Sequence, residues 1–260
     1  MAAPDQASAS QINRAYYSQV LDGMDDYWRK MAAPRFRVRT LLSLLSDSQT
    51  LGSPTRLIDL GCGNAQLLSE IAARFPNFEL CGVDLAEPQL AINRTRMPGC
   101  QFVCLDLSQP DVIPAELHGR FDLVTASEVI EHLDDPAQLL RTARTLCRPK
   151  GRLLVSTQSG TVHQTERRVG HLRHFSADEM TQLLRDTGFS VVRLWNCGFP
   201  FHDLSKWYAN RDPDRSLSEF AGQRYGLKQD LLCLLLRAAF QLNSRTRGAQ
   251  LFAVAERPAD

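Results

Sequence analysis

Leu57-Ile58-Asp59-Leu60-Gly61-Cys62-Gly63 is the stretch on which the fold turns. Its apolar start reads as a buried first strand over 56–60, and its two glycines as a sharp turn into a helix predicted over 65–74. A strand, a glycine turn and a helix form the opening unit of a doubly wound α/β sheet. A lone G-x-G specifies only a tight connection, so the weight of the reading falls on what surrounds it.

Outward from this turn the apolar pattern alternates between short runs and helix-period segments, which predicts a parallel sheet covered on both faces. Strands are expected over 78–84, 102–105, 121–127 and 151–157, with helices over 87–95 and 136–146. Pro149-Lys150-Gly151 marks a turn before the fifth strand. Ser176 followed by Glu179 is a capping-box start for the stretch 180–184, and Gly188 closes that helix. Strands over 190–195 and 250–256 complete a seven-stranded sheet. Residues 10–45 read as helices that cover it, and about fifty residues intervene between the last two strands. The predicted architecture is one Rossmann-like domain over 1–260. It has a helical cover at 1–50, a core at 51–197 and 248–258, and an insertion at 198–247 that would form a substrate lid.

The bulk properties exclude several classes. The chain has 260 residues, 43% hydrophobic and 23% charged, as ordinary globular proteins do. A net charge of +1 supplies no global field for nucleic acid, and no nucleic-acid partner is expected. Residues 1–15 lack the basic start and apolar core of a secretory signal. The run Leu231-Leu232-Cys233-Leu234-Leu235-Leu236 stops at Arg237, far short of the roughly 20 residues a spanning helix needs. Seven cysteines without a CxxC pair fit reduced thiols, so a cytoplasmic setting is expected. Cys100 and Cys104 read as buried residues of an apolar strand and not as a metal pair.

Two acidic residues raise the meaning of the glycine turn. Asp84 ends the second strand about twenty residues downstream, where a carboxylate accepts from ribose hydroxyls. Asp106 ends the third strand, within reach of an adenine amino group. Either alone is also a solvated strand end or a helix cap. A nicotinamide dehydrogenase shares the turn and the ribose acid, but its third glycine position is Gln66 here.

Taken together, Ile58-Asp59-Leu60-Gly61-Cys62-Gly63-Asn64, Gly82-Val83-Asp84-Leu85, Asp106-Leu107, Phe121-Asp122-Leu123-Val124, Glu128-Val129-Ile130-Glu131-His132-Leu133, Leu146-Cys147-Arg148-Pro149-Lys150-Gly151-Arg152 and Thr187-Gly188-Phe189 resemble the class I S-adenosylmethionine-dependent methyltransferases. The resemblance spans roughly residues 56–193 and is strongest to small-molecule enzymes of the ubiquinone-biosynthesis type. It implies that S-adenosyl-L-methionine is the cofactor. Asp59, Gly61 and Gly63 would line its methionine part, Asp84 its ribose, and Asp106 with Leu107 its adenine, with Leu85 also among the cofactor-binding residues. Glu128 would lie beside it after the fourth strand.

Methyl transfer from a sulfonium needs alignment and desolvation more than a base. An oxygen acceptor, slightly favoured over nitrogen or carbon, would gain from proton removal, and His132 and His171 are the candidate catalytic bases. Each is also readable as a structural histidine. No metal is assigned. Glu128-x-x-Glu131-His132 nevertheless resembles the metal-binding segment of small-RNA terminal 2′-O-methyltransferases, in which a later histidine, His171 or His174 here, completes the site. A metal-assisted RNA 3′-terminal enzyme is therefore one alternative, with Arg167, Arg168 and Arg173 as local positive charge. A catalytically silent cofactor-binding partner subunit is another.

The resemblance fades where the acceptor would be chosen. Tyr16, Tyr17, Tyr27 and Trp28 precede the core, and Phe199, Phe201, Trp207 and Tyr208 follow the sixth strand as candidate lid residues. Aromatic residues also simply pack helices. Residues 227–243 read as a packing helix first, with a dimer face or a weak membrane-surface contact as alternatives, so a homodimer stays open. The expected partner is a small-molecule acceptor in secondary-metabolite or quinone-type biosynthesis.

Overall fold

The computed structural model describes residues 25–46, 55–109, 113–220 and 224–259. The predicted helical stretch before residue 25, with Tyr16 and Tyr17, lies outside them. Strand β1 (Thr55–Leu60) is central, and its near-continuous burial matches its apolar run. It pairs in parallel with β2 (Phe78–Asp84) on one side and β4 (Phe121–Ser127) on the other, so that Leu57 lies opposite both Leu80 and Leu123. Strands β3 (Gln101–Cys104), β5 (Cys147–Gln158), β6 (Ser190–Cys197) and β7 (Gln250–Glu256) complete one seven-stranded sheet in the order β3-β2-β1-β4-β5-β7-β6. Strand β7 runs antiparallel between β5 and β6.

Period-2 alternation along β1 divides the core between the two faces of the sheet. Ile58 and Leu60 pack on one side with Val83, Val124 and Leu139, while Leu57 packs on the other with Leu68, Ile71 and Phe252. The first side is closed by α5 (Pro136–Leu146) and α7 (Ala177–Asp186), the second by α3 (Gln66–Arg74) and α4 (Glu87–Arg96). Helix α2 (Ala32–Ser46), which follows the short α1 (Asp25–Lys30), adds Leu41 and Leu45 to that second side. The predicted capping box of α7 is present, with Ser176 Oγ accepting from Glu179 N–H and the Glu179 side chain accepting from Ser176 N–H.

Besides the antiparallel β7, which makes the predicted parallel sheet a mixed one, four features depart from the sequence reading. Pro149-Lys150-Gly151 does not separate α5 from β5; it is a kink inside one long strand, with Lys150 at φ 61°. The segment after β5 contains a short helix, α6 (Gln164–Arg168), that periodicity did not reveal. Cys104 is exposed while Cys100 is buried, because the short β3 lies at the sheet edge. The insertion forms α8 (Phe201–Ala209), α9 (Pro213–Phe220) and α10 (Leu227–Phe240). In α10 only Cys233 and Phe240 are buried, so its leucines are not the core packing expected of them. Among the described residues no helix is long and apolar enough to cross a membrane.

Candidate active site

Strand order reverses between β1 and β4, and at such a switch point the loops leaving the strands diverge and open a crevice. A cavity of about 170 Å³ lies there. Asp59, Gly61, Gly63, Asp84, Leu85, Asp106, Leu107 and Glu128 all line it, and so does His132. Gly61 adopts φ 71°, and a Cβ on it would come within 2.5 Å of Val129 Cγ2. Both the turn conformation and the close approach therefore demand glycine.

The carboxylates are held by the turns they sit on. Asp84 Oδ2 accepts from Gly63 N–H at 2.8 Å and Oδ1 from Ala86 N–H at 3.0 Å, which ties the first glycine turn to the second strand end. A carboxylate has about four acceptor positions, so both oxygens retain capacity for ribose hydroxyls. Burial pushes the Asp84 carboxyl above its ordinary value, against the pull of those amides. Asp106 Oδ1 accepts from Ser108 N–H at 3.0 Å and from Ser108 Oγ at 2.6 Å. Asp59 is almost wholly buried and takes its hydrogen bond from Thr125 Oγ1 at 2.6 Å. Its carboxyl is pushed up to about 7, first by desolvation, with Asp84 adding to the effect and Thr125 opposing it.

Glu128 anchors a larger network. Its residue sits at φ 56° after β4, and its carboxylate accepts from Ser156 Oγ (3.2 Å), Gln158 Nε2 (3.0 Å) and Gln250 Nε2 (2.9 Å), with Arg37 at 3.7 Å. Burial raises its carboxyl, but Arg37, the two amides and His171 outweigh that and hold it at about 2. Arg37, Gln158 and Gln250 come from α2, β5 and β7, at sequence distances no motif could have linked. Neither Thr125 nor these three figures in the sequence reading.

Behind Glu128 lies a histidine chain. The His132 and His171 rings are 4.6 Å apart edge to face, and His171 Nδ1 is 3.1 Å from His174 Nε2. His171 is not part of the cavity wall. Desolvation lowers His132 to about 4 and His171 to about 2, so both imidazoles are neutral at pH 7. The insertion reaches this chain through Lys206 of α8, whose Nζ donates to Gln158 Oε1 at 2.6 Å and pairs with Glu166 Oε1 at 2.7 Å. Of the aromatic lid candidates, Trp28 lines the cavity, while Phe199, Trp207 and Tyr208 are exposed.

One buried acid has no partner for half of its carboxylate. Glu131 Oε2 accepts from Thr157 Oγ1 at 2.9 Å, and Oε1 is buried without a hydrogen bond. Burial and the neighbouring Glu128 charge raise the Glu131 carboxyl well above its usual range. Glu131, His132 and His171 each offer one donor atom within 4.8 Å of the others. A carboxylate oxygen with two neutral imidazoles is a donor set suited to a divalent transition ion. The sequence reading assigned no metal but named these residues, with Glu128 and His174, in its RNA-methyltransferase alternative; the structure brings Glu131, His132 and His171 together.

Residues 27–194 match the family model of the methyltransferase domain. The chain belongs to this methyltransferase family. S-adenosylmethionine is the methyl donor of the family, and the cavity suits it, with acidic residues at two successive strand ends beside a turn whose glycine cannot be replaced. The ubiquinone biosynthesis O-methyltransferase of Pseudomonas aeruginosa (strain UCBPP-PA14) is 34% identical over 104 residues, 39% of this chain and 44% of that enzyme. The chain thus matches less than half the length of this curated relative. Among solved structures, the [4+2]-cyclase SpnF superposes with a TM-score of 0.65 at 17% identity over 99% of this chain and 98% of that one. The 1,6-didemethyltoxoflavin-N1-methyltransferase of Burkholderia thailandensis gives 0.60 at 19% identity over 99% and 93%. At these identities the likeness is one of fold.

Proposed function

We propose that this methyltransferase transfers the methyl group of S-adenosylmethionine to an oxygen of a small-molecule acceptor. The observation that carries the reading is the placement of neutral, buried His132 in the wall of the same cavity as Asp84, Asp106 and Glu128. When bound, the donor supplies an electrophilic methyl group on a sulfonium. Asp84 and Asp106 orient its nucleoside, and the Gly61–Gly63 turn admits its backbone-facing part. A donor bound there would supply its methyl group to the acceptor oxygen and leave as the neutral thioether, and His132 would take that oxygen's hydroxyl proton. An imidazolium formed there is stabilised by the Glu128 carboxylate, whose charge raises the His132 pKa. The likeness to ubiquinone O-methyltransferases supports oxygen as the acceptor atom and quinone-type or related secondary metabolism.

The buried, unpartnered Glu131 Oε1 favours a second reading of the same chemistry. Glu131, His132 and His171 would hold a divalent ion that polarises the acceptor hydroxyl in place of a base. The RNA variant of that reading draws less support: Arg168 is paired with Asp214 and Arg173 donates to the Asp134 carbonyl. The SpnF likeness supports a silent cofactor-binding role as the third reading, since that cyclase shares the fold.

The test is incubation with methyl-labelled S-adenosylmethionine and fractionated cell extract, with and without a chelator. Label in small molecules is expected. Retention of label under chelation supports His132 as base, and loss supports the metal. Label confined to RNA overturns the acceptor class, and no label with any fraction, despite cofactor binding by calorimetry, favours the silent role.

A further inference from the structure

Exposed large apolar side chains are concentrated in one part of the molecule. Apart from Leu172 and Val192, those of the described residues all lie between Phe199 and Leu242. On α10 and just beyond it, Leu227, Leu231, Leu234, Leu235, Ala238 and Leu242 recur at helical spacing and form a single stripe. Leu227 is 90% exposed, Leu234 61% and Leu242 73%. The opposite side of α10 is the one that packs: Phe240 meets Phe36 of α2 edge to face at 6.2 Å, and Cys233 Sγ lies 3.5 Å from Met31 Sδ. An amphipathic helix ordinarily turns its apolar stripe inward, and this one presents it to solvent.

The charge around the stripe is of one sign. Residues 224–247 carry Arg224, Lys228, Arg237, Arg245 and Arg247 against Asp230 alone, in a chain whose net charge is +1. Asp230 is engaged by Lys30 at 2.8 Å. Beside the helix, between α2, β6 and α10, lies a cavity of about 340 Å³ lined by Arg35, Arg39, Arg193, Arg237 and Arg245, with no acidic residue in its wall. Arg35 pairs with Glu70 outside that wall, and the other four make no ion pair among the described residues. Asn243 Nδ2, also in the wall, is buried without an acceptor. Donors without acceptors suit phosphate oxygens, and leucines between basic ends suit the headgroup boundary of a bilayer. Trp207, with Arg211 stacked on it at 4.5 Å, and Tyr208 are the exposed aromatic types that settle at that boundary.

We propose that α10 and the arginine-lined cavity beside it dock this protein on an anionic phospholipid surface, the leucine stripe entering the headgroup boundary and the arginines taking lipid phosphates. A second copy of the chain suits the stripe's apolarity but would bring two sets of unpaired arginines together. The helices under α10 also supply Trp28, Pro34 and Arg37 to the cofactor cavity, so docking would set the helical cover of the active site towards the membrane. The proposal holds whichever acceptor is methylated.

The test is flotation of the full chain with vesicles of phosphatidylcholine alone and of phosphatidylcholine mixed equally with phosphatidylglycerol, in low and high salt. Binding to the anionic vesicles is expected, weakened by salt. The double variant Leu234→Glu/Leu235→Glu should bind at least about tenfold more weakly. Arg39→Gln/Arg193→Gln should lose about thirtyfold, as each basic group near such a surface contributes a factor of roughly five. Unchanged thermal melting of both variants verifies that folding is intact, and the arginine pair alone tests the proposal if the leucine variant misfolds. Absence of flotation, or equal flotation of wild type and variants, overturns it. A dimer by light scattering that the leucine variant dissolves, with no vesicle binding by wild type, assigns the stripe to a second copy instead and equally overturns it.

Discussion

Asp59 sits 3% exposed in the central strand, with one hydroxyl from Thr125 as its hydrogen-bond partner and Asp84 nearby. Its carboxyl is raised from 3.8 to about 7, so the folded protein keeps a proton there that the unfolded chain gives up near pH 4. Between those values the native state binds more protons than the unfolded one, and stability falls as pH rises. Asp59→Asn, which preserves an acceptor for Thr125, should melt like the wild type near pH 4 and higher than it at pH 8. Calorimetric melting across that range checks the sign. Gly61 is constrained in a different way. Alanine there incurs both the left-handed backbone cost, roughly 1–3 kcal/mol, and a clash with Val129. Gly61→Ala should destabilise by at least that amount in urea unfolding, and Val129→Ala added to it should recover the clash but not the backbone cost.

At the scale of elements, motif reading worked where a local rule acts within a few residues. Ser176 and Glu179 are three apart and cap α7 reciprocally; Ser176→Ala should cost about 1 kcal/mol in denaturant unfolding. Elements whose placement depends on distant partners were less legible. Helix α6 has five residues, too few for periodicity, and Glu166 within it pairs with Lys206 about forty residues later. The leucines of α10 have the composition of a core helix, and nothing in their order says which side meets the protein. Lys206 joins the insertion to the network around Glu128 through Gln158 and Glu166. Lys206→Met should leave Glu166 buried beside His174 without its cation and destabilise by roughly 3 kcal/mol, read in urea unfolding. Glu166→Gln added to it should restore part of that loss.

For the whole molecule, the cavity proposed to bind the cofactor joins parts that are otherwise separate. Its wall takes Trp28 and Arg37 from the helical cover, Asp84 and Asp106 from one half of the sheet, and Glu128 and His132 from the other. A ligand held by all of them stabilises the native state as a unit. S-adenosylmethionine at 100 times its dissociation constant should add about 2.7 kcal/mol, a melting shift of roughly 5–10 °C for a chain of this size. Asp84→Ala should abolish the shift, and a full shift in that variant would remove Asp84 from the cofactor site.

The sequence by itself determined the sheet, the glycine turn and the acidic strand ends, because each rests on short-range rules: period-2 burial, glycine at positive φ, a carboxylate closing the next turn. Only the tertiary structure decided what those residues meet. It brought Arg37, Gln158 and Gln250 to Glu128, set His171 against His132, and left Glu131 Oε1 buried beside them. It also turned the leucines of α10 outward. Such contacts join residues from tens to just over a hundred positions apart, and the pairing follows from how the faces of the sheet are covered, which no local pattern encodes.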